Sequence, residues 1–176
     1  MTQAVIALGG NIGESQSILR DAINAISELP HTKLEAVSNL YETDPIGGPE
    51  QPKYLNAAVL VSTQLAPAEL LSELHEIENI YGRTRDIHWG PRTLDLDLID
   101  FEGFVANDPE LTIPHPRAHD REFVLAPWAD VAPDWKITVP DFPESTTVAQ
   151  QLAAVKSQGQ GIRQAGNLDD GQWWTQ

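Results

Sequence analysis

The chain has 176 residues, a formal net charge of −15 and no cysteine. That length suits one domain with a sizeable core. So acidic a protein is a poor general binder of nucleic acid or anionic membrane, and any bound anion must be held locally. Disulfides, thiol catalysis and cysteine metal sites are excluded. No stretch approaches the roughly 18 apolar residues of a membrane helix, and no signal-peptide pattern opens the chain, so a cytoplasmic protein is expected.

Ala4 to Leu8 is an apolar strand running into Gly9-Gly10-Asn11-Ile12-Gly13, whose glycine spacing is not the dinucleotide fingerprint and reads as a tight turn. A helix is predicted from Ser15 to Leu29, with Ile18, Leu19, Ala22, Ile23, Ile26 and Leu29 as its apolar stripe and Pro30 as its stop. Lys33 to Tyr41 reads as a second strand. The Gly- and Pro-rich segment from Thr43 to Pro52 is a long loop, either a connector or a lid. Tyr54, Leu55 and Asn56 lead into a third strand, Ala57 to Ser62, and Asn56 is either a turn residue or a ligand group.

Pro67 opens a second helix to Tyr81, with Leu70, Leu71, Leu74, Ile77 and Ile80 inward and Gly82 as a stop. His75 and Glu78 share one face, either solvated or turned toward the arginines downstream. Trp89 is either a core anchor or an aromatic platform. From Thr93 the chain alternates: Leu94, Leu96 and Leu98 point one way, Asp95 and Asp97 the other. These carboxylates stand side by side, roughly 6 to 7 Å apart along a strand. The pair is either an acidic outer face or a seat for a hard cation such as Mg²⁺, which favours one or two carboxylates plus phosphate oxygens. Five of the eleven Lys and Arg residues (Arg83, Arg85, Arg92, Arg117 and Arg121) fall around it. Arginines converging on paired carboxylates suggest a polyphosphate held by protein and metal cations together.

After Phe101, Glu102-Gly103 suggests a hairpin turn. Pro114-His115-Pro116 presents a histidine rigidly. Arg117 and Arg121 would share a face if helical. Phe123 to Trp128 is apolar, Thr147 to Lys156 is a last short helix, and 159–176 is expected to be a mobile tail after a domain spanning 1–158. Strand–helix–strand–strand–helix–strand predicts an α+β fold: a ferredoxin-like antiparallel sheet with helices on both faces, a three-layer α/β/α sandwich.

Over residues 1–140 the chain resembles the 6-hydroxymethyl-7,8-dihydropterin pyrophosphokinase family of folate biosynthesis. The resemblance is carried by the Gly-Gly-Asn-Ile-Gly turn, Thr43 and Pro45, Tyr54-Leu55-Asn56, Glu78 with Gly82-Arg83-Thr84-Arg85, Trp89 to Asp97, Pro114 to Arg117, and Arg121-Glu122-Phe123. It implies transfer of pyrophosphate from ATP to the pterin hydroxymethyl oxygen. A monomer is expected, and the acidic charge argues against a nucleic-acid or membrane partner. Asp95 and Asp97 would hold two Mg²⁺ ions and, with Arg83 and Arg92, form the catalytic set. His75, Glu78, Arg85, Arg92, Thr112, His115 and Arg121 would contact ATP. Thr43, Pro45, Ile46, Tyr54, Asn56, Trp89 and Phe123 would form or close the pterin pocket. The chain departs from the family at His75, often Gln there, at Pro116, Tyr in some members, and at Glu110, a position that can carry a basic residue. These departures bear on contacts to the adenosine. A nucleotide sensor without turnover and a Mg²⁺-dependent phosphohydrolase are the competing readings; an RNA-binding sandwich is disfavoured by the charge.

Overall fold

The computed structural model describes residues 1–10, 15–43, 54–81, 94–102, 104–108, 111–115, 118–137, 146–156 and 162–167. The elements run β1 (Thr2–Gly10), α1 (Ser15–Ser27), β2 (Thr32–Val37), β3 (Asn39–Thr43), β4 (Tyr54–Thr63), α2 (Pro67–Tyr81), β5 (Asp95–Phe101), β6 (Ala106–Asp108), β7 (Leu111–Ile113), α3 (Glu122–Val131), α4 (Val148–Lys156) and β8 (Ile162–Asn167). A 3₁₀ turn, Ala118–Asp120, precedes α3. The main sheet has the order β5-β1-β4-β3-β8, with β2 also paired to β4. Every pairing in it is antiparallel.

Alternation along the strands builds a core on each face. Ala4, Ile6 and Leu8 of β1, with Leu94, Leu96 and Leu98, pack against Leu19, Ile23 and Ile26 of α1 and Leu70, Leu74 and Ile77 of α2. Val5, Ala58, Leu60 and Ile99 point the other way, onto Leu125, Trp128 and Val131 of α3 and Val148 and Val155 of α4. The expected α+β architecture, an antiparallel sheet carrying helices on both faces, is the one observed. Among the described residues no helix is long and apolar enough to cross a membrane.

The helix ends follow their local chemistry. Glu69 Oε1 accepts from the Ala66 N–H at 3.0 Å, just ahead of Pro67, one half of a capping box. Before α4 the box is complete: Thr147 N–H donates to Gln150 Oε1 and Gln150 N–H donates to Thr147 Oγ1. The first helix ends at Ser27, not Leu29. Glu28 and Leu29 instead donate to carbonyls three residues back, a tighter closing turn.

Several elements differ from the sequence expectation. The strand expected over Lys33–Tyr41 is two strands, broken at Ser38. That buried serine donates its N–H to the Ala58 carbonyl, while its Oγ accepts from the Ala58 N–H at 2.8 Å. A side-chain oxygen thus replaces a ladder carbonyl and lets the chain kink without losing pairing. The hairpin expected after Phe101 lies further on, with Asp108 opposite Leu111. Phe123 to Trp128 is part of α3, which accommodates Pro127. Residues 162–167, expected within a mobile tail, pair with β3 as strand β8; residues 168–176, with Trp173 and Trp174, lie outside the described residues.

Candidate active site

Strand register sets up the site. Across four neighbouring strands, Tyr41 stands opposite Asn56, Asn56 opposite Gly9, and Gly9 opposite Asp95. Directly opposed residues point to the same face. This row lies on the face covered by α3. Two residues along, Ala58, Ala7 and Asp97 make a second row. Asn56 and Asp95 are two strands apart, roughly 10 Å. Between them Gly9 contributes no side chain, and Ala7 and Ala58 contribute little. The sheet floor between an amide and a carboxylate is therefore shallow, which lets a ligand approach the backbone closely.

A bulge places the histidine. Val5 pairs with Asp100 but Ile6 pairs with Leu98, so Ile99 is the extra residue on β5. Its carbonyl accepts from the His115 N–H at 2.8 Å. Bulges of this kind re-aim side chains beside active sites. The Ile113–Pro114 bond just before it is cis. Arg121 reaches the same place from the N-cap of α3, with its guanidinium 5.6 Å from the centre of the Phe123 ring.

Asp97 is the electrostatic centre. Its side chain meets solvent, yet nearby protein restricts hydration enough to raise its pKa. Asp95 raises it further, while His115, Arg121 and His75 favour the anion. Burial lowers the His115 pKa, and Arg121 lowers it too, against the opposite pull of Asp97. Two carboxylates and three basic side chains are thus gathered around one point. Among the described residues, no group of three or more His, Asp or Glu forms a metal cage. Two carboxylates on one strand face fit Mg²⁺ all the same, because that ion takes its remaining ligands from phosphate and water.

Glu78 has a visible task. Its Oε2 accepts from the Leu96 N–H at 2.9 Å, so α2 is tied to β5 between the two aspartates. His75 lies one turn earlier on α2, exposed. Thr112 is half-buried on β7. Asn56 is buried, 5 % exposed, and Phe123 is half-buried. Thr43 stands opposite Tyr54, one step along from the Tyr41–Asn56 pair. Arg83, Arg85, Trp89, Arg92, Pro45 and Ile46 lie outside the described residues.

Sequence reasoning missed Gly9 as the gap in the floor, the bulge at Ile99, and Asp100. The glycine was legible as a turn residue but not as part of the site. Asp100 is 3 % exposed and accepts from the Phe101 N–H and from Trp135 Nε1 at 2.9 Å. It borders a cavity of about 750 Å³ at the far end of β5, lined also by Phe101, Phe104 and Trp135 and by none of the candidate site residues. Burial pushes the Asp100 carboxyl up to about 6, although both hydrogen bonds pull it down. A raised carboxyl binds its proton more tightly in the folded chain. That stabilisation is complete below about pH 4 and is lost as pH rises through about 6. The stability of the wild type minus that of Asp100→Asn is therefore expected to fall by roughly 2 to 3 kcal/mol between pH 4 and 7. Denaturant unfolding at both pH values checks this; a difference that does not change with pH would contradict it.

Comparison with known proteins identifies the family. Residues 5–133 match the family model of 7,8-dihydro-6-hydroxymethylpterin-pyrophosphokinase. A 2-amino-4-hydroxy-6-hydroxymethyldihydropteridine pyrophosphokinase from Pseudomonas aeruginosa is 42% identical over 88% of this chain and 92% of its own length. One of the same name from Bacillus subtilis is 45% identical over 73% of this chain and 77% of its own. The HPPK-DHPS triple mutant of Plasmodium falciparum with SDX-DHP superposes at a TM-score of 0.70 and 17% identity, over 89% of this chain. This chain spans 44% of that longer protein, and at 17% identity the likeness concerns the fold alone. With the sequence match covering most of its length, the chain belongs to the 7,8-dihydro-6-hydroxymethylpterin-pyrophosphokinase family.

Proposed function

We propose that this chain transfers pyrophosphate from ATP to 6-hydroxymethyl-7,8-dihydropterin, giving AMP and the pterin diphosphate for folate biosynthesis. The observation that carries the reading is the row Asn56–Gly9–Asp95 with Asp97 beside it. An amide suited to a heterocycle edge and a carboxylate pair suited to Mg²⁺ face one another across a gap of substrate size. In our reading the chain acts as a monomer.

Asp95 and Asp97 would hold Mg²⁺, in our reading two ions. When bound, the ions supply charge neutralisation on the phosphates and lower the pKa of the hydroxymethyl oxygen. Arg121 supplies positive charge at the same place, joined in our reading by Arg92 and Arg85, and the His115 imidazole contacts the phosphates there. Arg83 adds its charge, in our reading, once both substrates are present. His75, Glu78 and Thr112 line the ATP side, and Glu78 also holds β5 in place. Asn56 reads the polar edge of the pterin. Phe123 and Trp89 cover its faces, and Thr43, Pro45, Ile46 and Tyr54 complete the pocket. The hydroxymethyl oxygen then bonds to the β-phosphorus as the bond to the α-phosphoryl oxygen breaks, and AMP leaves. Such chemistry depends on positioning and charge neutralisation.

The test is product analysis with protein, Mg·ATP and pterin, omitting each in turn. AMP is expected only from the complete mixture. ATP bound without product would favour a nucleotide sensor, and ADP or phosphate without pterin would favour a hydrolase.

A further inference from the structure

α3 carries two candidate site residues at its start, Arg121 and Phe123; its other end packs through Trp128 and Val131 and is also tied to β3 by a single carboxylate oxygen. Asp130 Oδ2 accepts from the Tyr41 hydroxyl at 2.8 Å and from the Asn39 N–H at 3.0 Å. Both donors belong to β3. Asp130 follows Phe123 by seven residues, about two helical turns, so both lie on nearly the same helix face. The helix face that carries Phe123 thus also carries Asp130, which meets β3. Tyr41 stands opposite Asn56, and Thr43 opposite Tyr54. One carboxylate oxygen therefore joins the helix bearing Phe123 to the strand pair bearing Thr43, Tyr54 and Asn56.

We propose that Tyr41 and Asp130 are positioning residues, a clasp that fixes the spacing between the two walls of the pterin pocket. The proposal rests on the pterin-pocket reading above. The clasp touches no substrate. It holds α3 against β3, so that Phe123 covers a ring whose edge meets Asn56. The Tyr41 phenol is half-buried, and burial, then the Asp130 carboxylate, raises its pKa. It therefore stays a donor throughout the working pH range. Of the candidate ATP contacts among the described residues, only Arg121 shares α3 with the clasp; His75 and Glu78 are on α2, Thr112 is on β7, and His115 is held by Ile99.

The test uses the full chain with Tyr41→Phe, Asp130→Ala and the double variant. Tyr41→Phe keeps the ring and removes only the donor, and thermal melts verify folding. Each single variant is expected to raise KM for the pterin roughly 5- to 30-fold, with kcat and KM for ATP within about threefold. The double variant is expected to be little worse than Asp130→Ala, because both changes break one clasp. Asp130→Asn, which keeps an acceptor oxygen, is expected to recover most of the pterin affinity. Unchanged pterin KM in both single variants overturns the proposal, as does an equal rise for both substrates. Phe123→Ala and Asn56→Leu separate the two levels. If they raise pterin KM and the clasp variants do not, the clasp alone fails. If none of the four does, the pocket reading fails and takes the clasp with it.

Discussion

Replacing Asp95 or Asp97 by alanine is expected to lower turnover by several orders of magnitude while leaving the fold intact. The chain's own chemistry gives the reason. The triphosphate is the most highly charged group in the reaction, and this protein carries a net charge of −15. Without a cation seat next to His115 and Arg121, phosphate charge would accumulate in an acidic protein. Leaving transition-state charge unneutralised costs several kcal/mol, and each 1.36 kcal/mol is tenfold in rate. The fold survives because β5 is held by Leu94, Leu96 and Leu98 on its other face, and Asp97 is exposed. The discriminating readout is single-turnover rate at saturating Mg·ATP, beside a thermal melt. A variant within tenfold of wild type would remove that aspartate from the metal seat.

Asn56→Leu is expected to lower kcat/KM for the pterin by about 10² to 10⁴, with KM for ATP nearly unchanged. Asn56 is buried between Gly9 and Tyr41 in the sheet, and it is the amide of that row. A site built to hydrogen-bond a polar edge discriminates strongly when either partner is removed, because the other group is left desolvated and unpaired. Leucine keeps the branched outline of asparagine with methyl groups in place of the amide oxygen and nitrogen, so the loss reports chiefly the lost hydrogen bonds, and a thermal melt verifies the packing. Steady-state kinetics with each substrate varied in turn checks this. Parallel loss for ATP and pterin would place Asn56 outside the pterin pocket.

What could be read from the sequence follows physical range. β5 and the first two helices are defined by periodicities of 2 and 3.6, and β1 by a short apolar run, none of which needs a distant partner. The Leu94–Leu96–Leu98 stripe is buried as expected, and the aspartates turn to the other face. The break at Ser38 was not legible, because it depends on Ala58, twenty residues away. The bulge at Ile99 was hidden in the apolar run Leu98-Ile99, where either residue suits either face. Strand β8, Ile162-Arg163-Gln164-Ala165-Gly166-Asn167, has little strand character of its own and takes its form from the edge of β3. A last helix was expected over Thr147 to Lys156, and α4 runs over Val148–Lys156.

The site was legible in its residue types and not in its arrangement. Asp95, Asp97, His115 and Arg121 stood out by charge and spacing, and the structure gathers them around Asp97. Glu78 was picked for an adenosine contact, but its visible bond is to the backbone of Leu96. Tyr41 and Asp130 carried no local signal. Their relation exists only once α3 lies across β3.

The deciding measurement follows the phosphorus. With ATP labelled at the β-phosphate, and with pterin and Mg²⁺ present, the label is expected in the pterin product while the nucleotide leaves as unlabelled AMP. Label retained in ADP, with only the γ-phosphate moved, would contradict pyrophosphate transfer.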